Sequence, residues 1–287
     1  MKVFKYFFEF IIIISLFCIF KIIGLNNASA LGSILAKFIG PLFRSKKIIK
    51  ENIKTALGAM DKKKESEIIN AMWSNIGRTF AEYVFLKEFK FNKTNFSHMK
   101  INGVEYLEEI KKNNEAVIFY SAHLANFELM AMELNKSGIK CAAIYRPLNN
   151  YFLNPIMVNI RKKYICRNQI QKGISGTKNL LKSYKNGSSI AIMIDQRVSE
   201  GIKSDFFEKK ALTTTIPAQF VKKFNCKIVP VYIERLENND FKIKFNKPLI
   251  FNQDESIEQI TSKLNQNLEK MILKNPDQWI WTHNRWR

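Results

Sequence analysis

The sequence predicts an α/β fold, with a mainly parallel central sheet flanked by helices and preceded by an N-terminal membrane helix. Three observations carry that expectation. From about residue 99 onward, short apolar runs alternate with longer amphipathic ones. Strands alternating with helices build parallel sheets covered on both faces. Residues 6–25 are almost wholly apolar, and about 20 such residues suffice for a helix to cross a bilayer. Hydrophobic residues make up 46% of the 287 positions, enough to fill a core and to exclude wholesale disorder.

The elements follow in chain order. The run FIIIISLFCIF at 10–20 is broken only by Ser15, and the wider segment carries two charges, Glu9 and Lys21. Lys21 can snorkel to the interface. Ala28-Ser29-Ala30 offers the small-x-small pattern of a signal-peptide cleavage site, and a buried core helix is a third reading. Lys37, Arg44, Lys46, Lys47 and Lys50 follow closely. Positive charge there holds its side of the membrane in the cytoplasm and favours an uncleaved anchor. Ile34, Leu35, Phe38, Ile39, Leu42 and Phe43 recur at helical spacing and suit either a lipid surface or a core face. Residues 45–89 read as helical, with Asp61 opening a second run. Residues 116–120 (AVIFY), 141–145, 189–194 and 227–233 then read as buried strands. Residues 127–134, 151–164, 176–184 and 214–224 read as the helices between them. The expected organisation is an anchor at 1–25, a helical membrane-proximal region at 26–98 and a catalytic α/β region at 99–287.

The balance of 46 Lys+Arg against 25 Asp+Glu gives a net charge of +21. Such a surface draws anions: nucleic acid, acidic lipid or an acidic protein. The lysines are scattered, and no basic stripe with exposed aromatics or recognition motif is legible, so a non-catalytic nucleic-acid-binding protein is the weaker alternative. Cys18, Cys141, Cys166 and Cys226 form no CxxC pair, and the three histidines lie far apart. No metal site is expected, and nothing points to a disulfide framework. No GxGxxG, GxxxxGK[ST] or GxSxG occurs, so neither a nucleotide cofactor nor a serine nucleophile is expected.

Chemistry concentrates directly after AVIFY, in Ser121-Ala122-His123-Leu124-Ala125-Asn126-Phe127-Glu128. Ligands and catalysis gather at the carboxyl ends of parallel strands, and histidine is the side chain suited to proton exchange near neutral pH. Within one helix, an i+5 pair lies about 140° apart and faces away. His123 and Glu128 therefore meet only with His123 in the loop and Glu128 in the first helical turn. A carboxylate there fixes the imidazole tautomer. A turn-capping histidine beside a dipole-favoured glutamate is the competing reading.

The HLANFE segment resembles the HxGNWE signature of the bacterial lipid A biosynthesis (late) acyltransferases, the lauroyl and myristoyl transferases, within the lysophospholipid acyltransferase superfamily. Further segments match in order. Asn52-Ile53 resembles the family's NL segment, and Gly77, Arg78 and Glu82 its next helix. Tyr145-Arg146-Pro147-Leu148-Asn149-Asn150 resembles YRPxxN, and Arg161 follows one helix on. Asp195-Gln196-Arg197 resembles DQR, and Phe206-Phe207 the start of FFG, with Ala211, Thr213 and Pro217 continuing that block. The terminus from Pro276 to Trp286 resembles PEQWxWxHxRW. Ala125, Phe127 and Glu208 depart from the family's Gly, Trp and Gly.

The resemblance implies a glycerol-phosphate-acyltransferase-like fold and an inner-membrane, single-pass protein with its catalytic domain on the cytoplasmic side. It implies acyl transfer from acyl carrier protein to a hydroxyl of a lipid A precursor, without cofactor. His123 is the implied general base, Glu128 its orienting carboxylate, and Arg146, Arg161, Asp195 and Asn126 the implied substrate-binding residues. Arg161 or backbone N–H groups near Asn126 are the oxyanion candidates, and Arg146 or Arg161 is the alternative clamp for an acceptor phosphate. Another glycolipid or glycerolipid acceptor is the alternative, although glycerolipid enzymes usually carry Asp in the signature and an FPEG-like block absent here. Trp279 and Trp281 are expected in the core.

Overall fold

A computed structural model describes residues 2–91 and 98–286. Met1, residues 92–97 and Arg287, which fall within the expected spans 1–25, 26–98 and 99–287, lie outside the described residues. The chain opens with α1 (Lys2–Phe43), α2 (Lys46–Leu57), α3 (Lys62–Glu82) and α4 (Leu86–Phe91). There follow β1 (Met99–Asn102), α5 (Val104–Lys112), β2 (Ile118–Ser121), α6 (Glu128–Lys136) and β3 (Cys141–Tyr145). Next come α7 (Leu153–Ile160), β4 (Asn168–Gln171), α8 (Ile174–Lys185) and β5 (Ser189–Met193). The chain continues through β6 (Ile202–Phe206), β7 (Lys209–Thr213), α9 (Ile216–Phe224), β8 (Ile228–Arg235), β9 (Phe241–Phe245) and α10 (Ile257–Lys274).

Seven strands form one sheet in the order β1-β9-β8-β2-β5-β3-β4. The five from β8 to β4 run parallel, and β9 with β1 runs the other way. Ile118, Phe119 and Tyr120 of β2 are fully buried, as are Val229 and Val231 of β8, because helices cover both faces of the sheet. The four strands expected from apolar runs are all present. The polar strands β4 (NQIQ) and β6 (IKSDF) carry no such run and escaped the sequence.

The first helix runs through the span expected as an anchor. It continues past residue 25 to Phe43, bent at Gly24, whose φ of 80° breaks the helical path. Residues 2–23 are long and apolar enough to cross a membrane. Among the described residues this is the one helix that meets that test. Beyond the bend, Ala28, Ser29, Gly32 and Ser33 are buried against α3. Of the small residues that suggested a cleavage site, Ala28 and Ser29 therefore lie in a helix–helix contact, and Ala30 is exposed. Ser33 Oγ lies 2.7 Å from Ser74 Oγ, and Arg78 Nη1 donates to Ser29 Oγ at 3.0 Å. Ile34, Phe38, Ile39, Leu42 and Phe43 remain exposed on the other side. A Cβ built on Gly77 would sit 2.0 Å from Gly32 O, so only glycine permits this approach. Gly77→Val is expected to part α1 from α3 and cost about 2–4 kcal/mol, as overpacking against rigid backbone does. Thermal unfolding in detergent checks this, and an unchanged midpoint would refute it.

Glu208, in the position of the family's glycine, has φ 57°, next to Phe207 at 51°. The pair turns the β6–β7 hairpin, whose ends pair Phe206 with Lys209. A two-residue turn with both φ positive favours glycine, which accounts for that pattern. Here Glu208 adopts the left-handed conformation without it.

Candidate active site

Strand β2 ends at Ser121, and His123 follows in the loop before α6, whose first residue is Glu128. The local condition deduced from the i+5 spacing is therefore met. The carboxylate that reaches the ring, however, is not Glu128. His123 Nδ1 lies 2.7 Å from Asp195 Oδ1, and the backbone N–H of His123 donates to Asp195 Oδ2 at 2.9 Å. Trp279 Nε1 donates to the same oxygen at 2.7 Å. Strands β2 and β5 are neighbours with Ser121 beside Met193, so their carboxyl ends place His123 next to Asp195. The expected pairing of Glu128 with His123 is corrected accordingly, because register across the sheet brings in a closer acid than the next turn does.

Asp195 is fully buried. Burial works to raise its pKa, but the His123 charge and the three hydrogen bonds prevail and hold it at about 2. An ionised carboxylate only accepts, so Nδ1 carries the proton and donates to it. That leaves Nε2 as the basic nitrogen. The Phe127 ring packs edge-on against the imidazole, with centroids 4.6 Å apart.

Glu128 instead holds Arg161. Arg161 Nε and Nη2 donate to Glu128 Oε1 at 2.9 and 2.6 Å, and Tyr83 O–H bonds the same carboxylate oxygen. Arg161 also lies over the rings of Tyr83 and Tyr145. Burial disfavours its charge, yet Glu128 and Tyr83 outweigh that and keep the guanidinium protonated. Arg161 caps α7 at the start of a π turn over Arg161–Ile165, a local widening often found at functional sites.

Asn126 is buried, and its Nδ2 donates to Glu82 Oε2 at 2.8 Å. Glu82 in turn is paired with Arg235. Asn126 therefore faces an internal ion pair, which runs against the expected substrate contact. The neighbouring Ala125, where the family has glycine, takes φ 48°. A left-handed alanine costs about 1–2 kcal/mol. Its carbonyl accepts from Asn75 Nδ2 and Thr79 Oγ1, both at 3.2 Å, and its N–H donates to Gln278 O at 3.1 Å. Helix α3 and the C-terminal segment thus clamp the loop that carries His123.

His123, Glu128, Arg146 and Arg161 line one cleft of about 280 Å³. Its walls include Met130, Ala143, Ala191 and Ile216, so the polar groups stand over apolar surface. Asp195 and Asn126 lie behind its wall. Among the described residues no group of three or more His, Cys, Asp or Glu gathers as a metal site. Trp279 and Trp281 are buried in the core.

Three contributors escaped the sequence: Tyr83, Trp279 as a donor to Asp195, and His283. Tyr83 follows a residue matched to the family, and the other two lie in the terminal block, but nothing local in their spacing announces these contacts. His283 lines the cleft, and its buried Nδ1 has no hydrogen-bond partner. Burial pushes its pKa down to about 4; the charges of His123, Arg285 and Lys172 add to this and Asp195 opposes it. A histidine kept neutral in the fold protonates first in the unfolded chain. Stability should therefore fall with pH from about 6.5 to about 4, by an amount on the order of 1–3 kcal/mol from this residue. Denaturant titrations at both pH values should show a flatter dependence for His283→Gln, and an identical slope would remove this source.

The profile of the family described as bacterial lipid A biosynthesis acyltransferase matches residues 1–287. The chain is 26% identical over 185 residues to lipid A biosynthesis acyltransferase 2 of Shigella flexneri, covering 62% of this chain and 58% of that protein. It is 24% identical over 184 residues to the lipid A biosynthesis myristoyltransferase of Escherichia coli (strain K12), covering 62% and 56%. A lipid A biosynthesis acyltransferase of Haemophilus influenzae is 23% identical over 195 residues, covering 66% and 60%. The chain thus spans less than two thirds of the length of the curated relatives it matches. With a match over the whole chain and a histidine held at the rim of a parallel sheet, the protein belongs to the bacterial lipid A biosynthesis acyltransferase family.

Proposed function

We propose that the protein transfers a fatty acyl chain from acyl carrier protein to a hydroxyl of a lipid A precursor. One observation carries the chemistry: an imidazole with Nδ1 held on a buried carboxylate, set in a cleft with apolar walls. His123 Nε2 takes the proton from the acceptor hydroxyl as its oxygen attacks the thioester carbon. The C–S bond then breaks, and the imidazolium returns that proton to the departing sulfur, giving an ester and a thiol. Asp195 positions the ring and offsets the transient imidazolium charge, as the third member of a hydrolase triad does. Arg161, fixed by Glu128 and Tyr83 and lining the same cleft, is the donor assigned to the oxyanion. Glu128 acts through Arg161 and not on the imidazole. The apolar wall takes the acyl chain.

Residues 1–25 serve as the anchor of a single-pass inner-membrane protein, residues 26–98 as the membrane-proximal helical region and residues 99–287 as the catalytic region on the cytoplasmic side. The lysines and arginines flanking the apolar helix support that orientation, and the net charge of +21 favours both an acidic carrier protein and an anionic leaflet. Mass spectrometry of lipid A from a deletion strain should show one acyl chain missing at one position. The purified chain should add that chain to the isolated precursor. Unchanged lipid A together with no transfer in vitro would reject the reading.

A further inference from the structure

The carboxyl ends of β5, β3 and β4, three neighbouring strands, each lead into a cation. Arg197 follows β5, Arg146 follows β3 and Lys172 follows β4. The β3–β4 pairing sets Tyr145 beside Gln171, and the Lys172 N–H donates to Tyr145 O at 2.8 Å, so Arg146 and Lys172 are held as neighbours. All three line the cleft that contains His123. Arg146 and Lys172 also line an adjoining open recess of about 390 Å³, together with Pro147, Leu148 and Asn149.

What distinguishes these cations is their common place in the cleft that holds His123. Arg161, in the same cleft, spends its charge on Glu128. Among the described residues, Arg146, Lys172 and Arg197 form no ion pair, although Glu128 and Asp195 lie close by, each committed to another partner. Like charges lining one cleft, whose acids are already committed to other partners, repel one another, and the repulsion is relieved when an anion sits between them. Phosphate suits such a place: it carries up to two charges and accepts the bidentate fork of a guanidinium.

We propose that Arg146, Lys172 and Arg197 form a phosphate subsite at the mouth of the catalytic cleft, which holds a phosphorylated substrate with its reacting group at His123. The assignment rests on the acyltransferase reading. It moves phosphate recognition away from Arg161 and onto a residue from each of three strand ends. Two phosphates qualify: one on the head of the acceptor lipid, or the one in the thiol-bearing arm of the carrier protein.

The full chain in detergent micelles is assayed as wild type, as the three single Gln variants and as the triple R146Q/K172Q/R197Q. Acceptors are a phosphorylated glucosamine-disaccharide lipid and the same lipid after phosphatase treatment. Donors are acyl carrier protein and a short acyl thioester lacking phosphate. The triple variant should raise KM for the phosphorylated acceptor about 10–100-fold with kcat within a few-fold, each charge-assisted contact being worth up to about tenfold. KM for the treated lipid should stay unchanged. A rise confined to the carrier-protein donor, absent with the short thioester, upholds the subsite and assigns it to the donor's phosphate. KM values within about twofold for every pair, in variants whose melting temperature is unchanged, would overturn it. If the triple variant fails to fold, the single variants decide by the same criterion. If the wild type transfers no acyl group, the acyltransferase reading fails by itself. Tryptophan-fluorescence titration with the two lipids then decides the subsite: equal binding of both by the wild type would overturn it, and a preference for the phosphorylated lipid that is lost in the triple variant upholds it.

Discussion

Replacing His123 with alanine is expected to lower acyl transfer by about 10²–10⁴-fold, the usual worth of a positioned general base. The fold should survive, since the ring is partly exposed at the rim. Asp195→Asn should cost nearly as much. Asp195 Oδ2 accepts from two N–H donors and Oδ1 from a third. An amide presents one oxygen and one NH₂, so either orientation sets N–H against N–H. The ring then loses its tautomer and its alignment, which is how the corresponding Asp→Asn change disables a hydrolase triad. Glu128→Gln should act differently, through the loosened Arg161 guanidinium. Single-turnover rates on the three purified variants would separate these roles. If Glu128→Gln matched His123→Ala while Asp195→Asn turned over normally, the acid acting on the ring would be Glu128 and not Asp195.

The second large effect is expected on stability. Glu82 is fully buried, and both its oxygens bond the Arg235 guanidinium. Arg235 also donates to Asn75 Oδ1 at 2.9 Å and Thr79 Oγ1 at 3.2 Å. These are the residues that, with Asn126, hold the loop that carries His123. Arg235→Leu leaves Glu82 buried without a cation, a change typically worth about 3–5 kcal/mol. The double change Glu82→Leu with Arg235→Leu should recover much of that, because it removes the stranded charge. Denaturant unfolding of the three proteins in detergent forms the cycle. A loss below about 1 kcal/mol in Arg235→Leu would overturn the view that this ion pair holds the fold together.

The sequence by itself determined the fold class, the apolar N-terminal helix and the position of His123. Each is written in local patterning: runs of AVIFY type, an unbroken apolar stretch, and a histidine one loop residue past a strand. It also placed Asp195 at the end of its strand, on the same rim. Partnership among these residues was not legible there. Spacing along the chain favours His123 with Glu128, five residues apart, over His123 with Asp195, 72 apart. Only the pairing of β2 with β5 makes the distant acid the nearer one. The same holds for Glu82 with Arg235, separated by 153 positions, and for the small residues of α1, whose role depends on meeting Gly77 of α3. Local sequence sets backbone conformation and which face is apolar, whereas which charged groups meet is decided by strand order and register, a property of the assembled sheet.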